Sequence, residues 1–310
     1  MRLTLRPPVL AAGLVVLGSV LLAAHREARL LRIREGTVAL PRASARVRGV
    51  RLAFLADFHL GGPGPGEVLT AKALARLRTW RPDLILLGGD YFDQGRIVPT
   101  SVFDDLSDFP RVYAVLGNHD HRRGAENAAK IARLLESRGV TVLRNERVFV
   151  TVHREDGSES TLEVVGLDDP YTGLDDPSLL VMPPREDVPR VLLAHAPLLL
   201  ERVPVGCADL ALFGHTHWGQ IRLMPTSHLG PLDAAWYLDR IRKRPHSRLQ
   251  RGWFWERGML SYVSAGIGVT QVPFRLFAPP EMLLLQFDDR ARDDSRPCDD
   301  PRHFVRMAHS

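Results

Sequence analysis

Cysteine is nearly absent: Cys207 and Cys298 are the only two in 310 residues. That excludes a disulfide framework, and without paired spacing it also excludes a structural zinc site, so the redox compartment stays open. The setting for a protein nucleophile is missing as well. Ser261 and Ser264 stand in no motif, and Cys207 has no basic neighbour to favour its thiolate. Internal repeats are not found. What is present is a chain with 45% apolar residues, able to bury a full core. Lys+Arg number 41 against 36 Asp+Glu, a formal charge of +5 with arginine in marked excess. Such a balance favours anionic partners: membrane surfaces, nucleic acid or phosphorylated substrates.

One long apolar run, residues 9–24, follows Arg2, Arg6 and the pair Pro7 and Pro8. At about 1.5 Å per residue it reaches roughly 24 Å, a little short of the ~30 Å hydrocarbon core. Ala23-Ala24 is a weak cleavage signal, and Arg26, Arg29, Arg32 and Arg34 follow among Leu30, Leu31 and Ile33. A retained transmembrane or signal anchor is therefore expected in preference to a cleaved signal peptide. Residues 1–44 are read as that anchor plus a basic linker. The arginine balance across the run favours a cytoplasmic body, with an exported form as the alternative.

Beyond the linker, short apolar runs at 51–56, 83–87, 112–116, 191–194 and 209–213 each end in Asp, His, Asn or Gly. Runs of this length read as buried strands, and open sheets place ligand groups just beyond strand carboxyl ends. Residues 67–80 and 126–138 have helical apolar spacing, and 147–153 with 161–166 reads as a hairpin turned by Asp156-Gly157-Ser158. Further strands are expected at 261–263 and 282–287. The expected fold is α/β, packed sheets flanked by helices in one domain over 45–290, with 291–310 a loose charged tail.

The strand ends carry the chemistry. Asp57-Phe58-His59 offers two ligands one residue apart, which in extended chain point to the same side and can grip one cation. Gly88-Gly89-Asp90 brings a carboxylate whose two oxygens can bridge two metals. Gly117-Asn118-His119-Asp120 supplies a neutral oxygen and an imidazole, while His195, His215 and His217 close two later strands. A mixed nitrogen and oxygen shell suits two divalent ions such as Mn, Fe, Co or Zn rather than magnesium alone. Two such cations lower the pKa of a bound water and neutralise negative charge that develops on a reacting group.

In these residues the chain resembles the calcineurin-like metallophosphoesterase family, whose Asp-x-His, Gly-Asp, Gly-Asn-His-Asp/Glu, His and Gly-His-x-His motifs match in order. The resemblance implies a four-layer sandwich of two mixed β-sheets between helices. It implies that Asp57, His59, Asp90 and His217 hold one metal, and Asp90, Asn118, His195 and His215 the other. It also implies that His119 is no ligand but assists the leaving group, with Asp120 a plausible orienting partner. The expected activity is hydrolysis of a phosphodiester or diphosphate by a metal-bridging hydroxide.

Gly219-Gln220, Gly266 with Gly268, and Arg275 before Pro279-Pro280-Glu281 resemble a membrane-associated bacterial branch of the family. That branch includes broad phosphodiesterases and UDP-2,3-diacylglucosamine hydrolases, which implies an inner-membrane location. Trp218 departs from it and is expected to narrow the opening beside the second metal. The stretch 232–257 interleaves Trp236, Tyr237, Trp253, Phe254 and Trp255 with Arg240, Arg242, Lys243, Arg244, Arg248 and Arg251. It is read first as a membrane-facing cap for a lipid-linked substrate, then as an ordinary loop with core aromatics, then as a nucleic-acid surface. Two other readings stand beside the lipid one: a phosphodiesterase acting on nucleotides or nucleic acid, and a non-catalytic membrane scaffold. No protein partner is expected.

Overall fold

The structure, a computed structural model, describes residues 7–42, 44–153, 157–222 and 249–308. Two mixed sheets face each other. The first runs β13 (Val305–Met307), β1 (Arg32–Val38), β12 (Glu281–Phe287), β2 (Arg51–Leu55), β3 (Leu84–Leu87), β4 (Val112–Ala114), β5 (Thr141–Val142). The second runs β10 (Gly252–Glu256), β11 (Met259–Val263), β9 (Leu210–Phe213), β8 (Arg190–Leu193), β7 (Glu159–Gly166), β6 (Glu146–His153).

Strand alternation sorts each apolar side chain to one of two cores. Leu52 and Phe54 of β2, Leu84 and Leu86 of β3, and Leu283 and Leu285 of β12 pack between the sheets. Their neighbours Ala53, Leu55, Ile85, Leu87 and Leu284 pack outward with α2 (Gly66–Trp80) and α4 (Ala125–Glu136). A third cluster covers the far face of the second sheet, where Leu180, Leu199 and Leu200 come from single-turn 3-10 helices at Pro177–Leu180 and Pro197–Glu201. Among the described residues, α-helices therefore flank one sheet, while short turns replace the expected fourth helical layer.

The expected domain edges move outward. Residues 32–38, read as linker, form β1, paired with β12 in parallel over seven residues and with β13 antiparallel. Glu35 on this strand accepts from Trp80 Nε1 (2.8 Å) and Arg76 Nη2 (2.9 Å), joining it to α2. The supposed tail contributes β13, and Phe304 is buried. Deleting residues 1–44 thus strips a strand from the interior of the first sheet and leaves the Trp80 donor without its partner. The thermal midpoint is expected to fall by roughly 10 °C or more, since each kcal/mol is worth ~2–4 °C at this size. Circular dichroism melting checks it, and an unchanged midpoint would make β1 dispensable.

The apolar run forms α1 (Pro7–Glu27), with residues 11–23 exposed throughout. Among the described residues no helix is long and apolar enough to cross a membrane. In the aromatic and basic stretch, 232–248, with Trp236 and Tyr237, lies outside the described residues. Trp253, Phe254 and Trp255 form β10 and do not make a cap: the two tryptophans pack against the inter-sheet core and Phe254 against the outer one. Trp255 stacks on Phe304 with ring centroids 5.0 Å apart. This is the core-aromatic reading of that segment.

Candidate metal centre

The parallel strands β2, β3 and β4 of one sheet, and β8 and β9 of the other, point their carboxyl ends to one edge of the sandwich. All seven expected ligands meet there. Five of them, Asp57, His59, Asp90, His215 and His217, have left-handed backbone with φ between 46° and 70°. Such conformations cost of order 1–3 kcal/mol each and persist where the surroundings force them, as at sites built to aim side chains inward. The turns need glycine alongside: at Gly89 (φ 90°) a Cβ would lie 2.6 Å from the Gly117 nitrogen.

The donor atoms form two sets that share Asp90. On one side, His59 Nε2 lies 3.0 Å from His217 Nε2, and His217 Nε2 lies 3.6 Å from Asp57 Oδ1. On the other, Asn118 Oδ1 lies 3.1 Å from His195 Nε2 and 2.9 Å from His215 Nδ1. Asp90 Oδ2 stands between, 3.5 Å from His59 Nε2 and 3.3 Å from His195 Nε2. Its other oxygen accepts from the His119 backbone N–H at 2.8 Å, which fixes the carboxylate's rotation. His195 Nδ1 donates to Gly88 O (2.7 Å), so Nε2 faces the donor cluster, the usual outer-shell arrangement for a metal-bound imidazole. Burial, which would lower it, is outweighed by the charge of Asp90, which holds this ring well above the usual imidazole range, so a cation would take the place of the Nε2 proton.

These donors fit divalent cations. Asp57, His59, Asp90, His195 and His217 are almost wholly buried, and imidazole nitrogens 3.0–3.2 Å apart converge with their lone pairs, which only a proton or a cation between them relieves. Burial and the neighbouring charge of Asp90 push the Asp57 carboxyl up to about 6. Burial and the nearby His195 bring His215 down to about 3, and burial with His59 and Arg275 holds His217 well below the imidazole range. Both rings are therefore neutral, as ligands must be.

His119 is packed edge-on against His59, ring centroids 4.6 Å apart. Its Nδ1 meets the Gln94 backbone N–H at 3.0 Å and Asp93 Oδ1 at 3.3 Å. In the neutral ring the first contact places the proton on Nε2, and the second stabilises the doubly protonated ring, so Nε2 carries a proton in both forms. Asp93 Oδ1 also stands 3.3 Å from His59 Nδ1. Asp120, expected to orient His119, does something else: its oxygens accept from the backbone N–H groups of Gly117, Asp90 and Tyr91 at 2.9–3.0 Å. It braces the turns that carry the ligands, while Asp93 holds the place assigned to it.

The loop after β7 also reaches the site, which the sequence reading missed. Tyr171 lies over His215 with ring centroids 4.3 Å apart. The buried carboxyl of Asp169 is pushed up to about 6 by burial, despite His195 nearby. Trp218 does not narrow the opening. Its ring is buried, with Nε1 donating to Val263 O (3.0 Å) and Arg251 stacked over it at 3.9 Å.

Residues 50–219 match the family model described as Calcineurin-like phosphoesterase. Phosphodiesterase YaeI of Escherichia coli is 36% identical over 180 residues, covering 56% of this chain and 62% of YaeI, short of two thirds of that relative's length. The metallophosphoesterase YkuE of Bacillus subtilis is 28% identical over 76% of this chain and 77% of its own. UDP-2,3-diacylglucosamine pyrophosphatase LpxG of Chlamydia trachomatis is 24% identical over 84% of this chain and 91% of LpxG. With its motif residues gathered at one edge of two mixed sheets and more than half its length matched by the family model, the chain belongs to the calcineurin-like phosphoesterases.

Proposed function

We propose that the protein is a two-cation hydrolase of phosphodiesters or diphosphates, with Mn, Fe, Co or Zn as its ions and a lipid-linked substrate such as UDP-2,3-diacylglucosamine. The observation that carries the hydrolase reading is the sharing of Asp90 Oδ2 between two complete donor sets. Bound cations would supply an activated water and neutralise the phosphoryl oxygens. The chain's own part is to hold Asp57, His59, Asp90 and His217 around one ion and Asp90, Asn118, His195 and His215 around the other. His119 keeps a proton on Nε2 for the departing oxygen, with Asp93 behind its other nitrogen.

Two features support a lipid-linked substrate at a membrane. LpxG, named for such a substrate, aligns over most of both chains. The stem of α1 is apolar on every face, with Leu14, Val15, Val16 and Leu17 more than half exposed; an all-round apolar helix is stable only when covered, and lipid suits it. Arg26, Arg29, Arg32 and Arg34 beyond it favour attachment to the cytoplasmic face of a bacterial inner membrane. The second reading, a phosphodiesterase acting on nucleotides or nucleic acid, is supported by the likeness to YaeI.

The test is hydrolysis by manganese-loaded, detergent-solubilised protein of UDP-2,3-diacylglucosamine, bis(p-nitrophenyl) phosphate and p-nitrophenyl phosphate, with metal content measured in parallel. The diphosphate is expected to turn over fastest and the monoester slowest, and chelation should stop all three. Preference for the small diester would favour the second reading. Two bound cations with no hydrolysis of any ester would leave a non-catalytic scaffold.

A further inference from the structure

The end of α1 and one side of the metal centre are fastened to the same short strap, residues 274–278. On the helix side, Ala24 O accepts from Arg275 N (3.0 Å) and Glu27 Oε1 accepts from Ala278 N (2.8 Å). His25 meets the Phe274 ring edge-on, and Ala24 and Ala28 are buried. On the metal side, the fully buried Arg275 guanidinium donates to the carbonyls of Ala265 (2.8 Å), Gly268 (2.5 Å) and Ala278 (2.8 Å). It reaches His217 through the backbone, Nη1 donating to His217 O (3.5 Å), while Nη2 stands 3.3 Å from His217 Nδ1, a contact between two donors when Nε2 faces a cation. Gly268 in turn donates from its N–H to Asp57 O (2.6 Å). Leu276 bonds Gln220 O through its N–H (2.9 Å) and accepts from Arg222 N (3.0 Å), closing the strap onto the chain just after His217.

Asp57 and His217, the two ligands reached first, belong to the same donor set; of the other set, His215 lies one step further on, its N–H donating to the Asp57 carboxylate (3.0 Å). We propose that Arg275 is a positioning residue linking the seat of α1 to the Asp57, His59 and His217 side, so that unseating the helix weakens cation binding there. The inference rests on the metal-centre reading above. Residues supporting a ligand from behind commonly contribute about 10–100-fold to metal affinity. A buried guanidinium satisfied by three carbonyls is rigid, and it transmits a shift of the strap to both ligands rather than absorbing it.

Full-length protein in detergent distinguishes the possibilities through manganese binding by equilibrium dialysis and amide exchange at Arg275 and Ala278. Ala28→Arg places a long charged side chain in the buried seat; Leu17→Arg alters only the exposed stem. In Ala28→Arg both amides are expected to exchange faster and one manganese site to weaken about 10–100-fold, the other holding. Arg275→Lys, which keeps the charge but cannot span three carbonyls, should weaken the same site, and Leu17→Arg should match wild type. Faster exchange with both affinities intact would overturn the link, and unchanged exchange would show that α1 does not hold the strap. Full affinity in Arg275→Lys would remove Arg275 from the path. Failure of wild-type protein to bind manganese would instead sink the metal-centre reading itself.

Discussion

Asp90→Ala is expected to abolish measurable turnover and to release at least one of the two cations. Three interactions vanish together. Oδ2 is the atom placed between His59 and His195, so both donor sets become incomplete. Oδ1 accepts from His119 N, so the helix α3 (Asn118–His121) that presents Asn118 and His119 loses one of its ties to the turn after β3, keeping those that Asp120 makes to the N–H groups of residues 90 and 91. Removal also uncovers imidazoles that Asp90 had balanced: burial alone would raise its carboxyl, yet His195, His119 and His59 hold it well below the usual range. Asp90→Asn separates these effects, because an amide oxygen can still accept from His119 N while the bridging charge is gone. It should fold like wild type and bind metal poorly. A loss of activity beyond about 10²-fold is the expectation for both variants, exceeding what supporting residues give. Full occupancy of both sites with near-normal turnover in Asp90→Ala would sink the two-cation assignment.

How far the sequence revealed this centre depends on which physical signal each residue leaves. The ligands were legible because buried parallel strands are apolar on both faces, so an Asp, Asn or His directly after β2, β3, β4, β8 or β9 breaks a strong pattern. Asp93 leaves no such mark. It lies three residues beyond Asp90, in a turn whose course depends on left-handed Gln94 (φ 54°), and periodicity does not report that. Asp120 misled through adjacency: it follows His119 on a helix, where neighbours diverge by roughly 100° and face different partners. Strand β1 was hidden by its arginines. Arg32 and Arg34 read as a juxtamembrane linker, whereas in the sheet Arg34 reaches the buried Glu281 at 3.4 Å and Val38 enters the core. Strand β13, three residues long, is too short for alternation to show. Tyr171 came to the site through a loop, the kind of placement only the folded chain displays.

His119→Ala should behave differently from loss of a ligand: slow hydrolysis with both cations retained. The ring contributes no atom that Asp57, Asn118, His195, His215 or His217 needs, and its backbone N–H to Asp90 survives the substitution. What disappears is the Nε2 proton that Gln94 N–H and Asp93 maintain from the opposite nitrogen. Removing general-acid assistance typically costs ~10²–10⁴ in rate, and the cost scales with the basicity of the departing oxygen. A diester leaving as p-nitrophenolate, stable without a proton, should lose little. One leaving as an alkoxide should lose most of that range. Asp93→Asn, assayed at saturating metal because the same carboxylate also stands behind the ligand His59, no longer stabilises the protonated His119 ring: its defect should show the same leaving-group order but be smaller, since Gln94 still directs the proton to Nε2. Equal losses on both esters in His119→Ala would assign the imidazole to holding the phosphoryl group rather than to proton transfer. Loss of metal alongside activity would place His119 among the ligands, in the set it forms with His59 and Asp90.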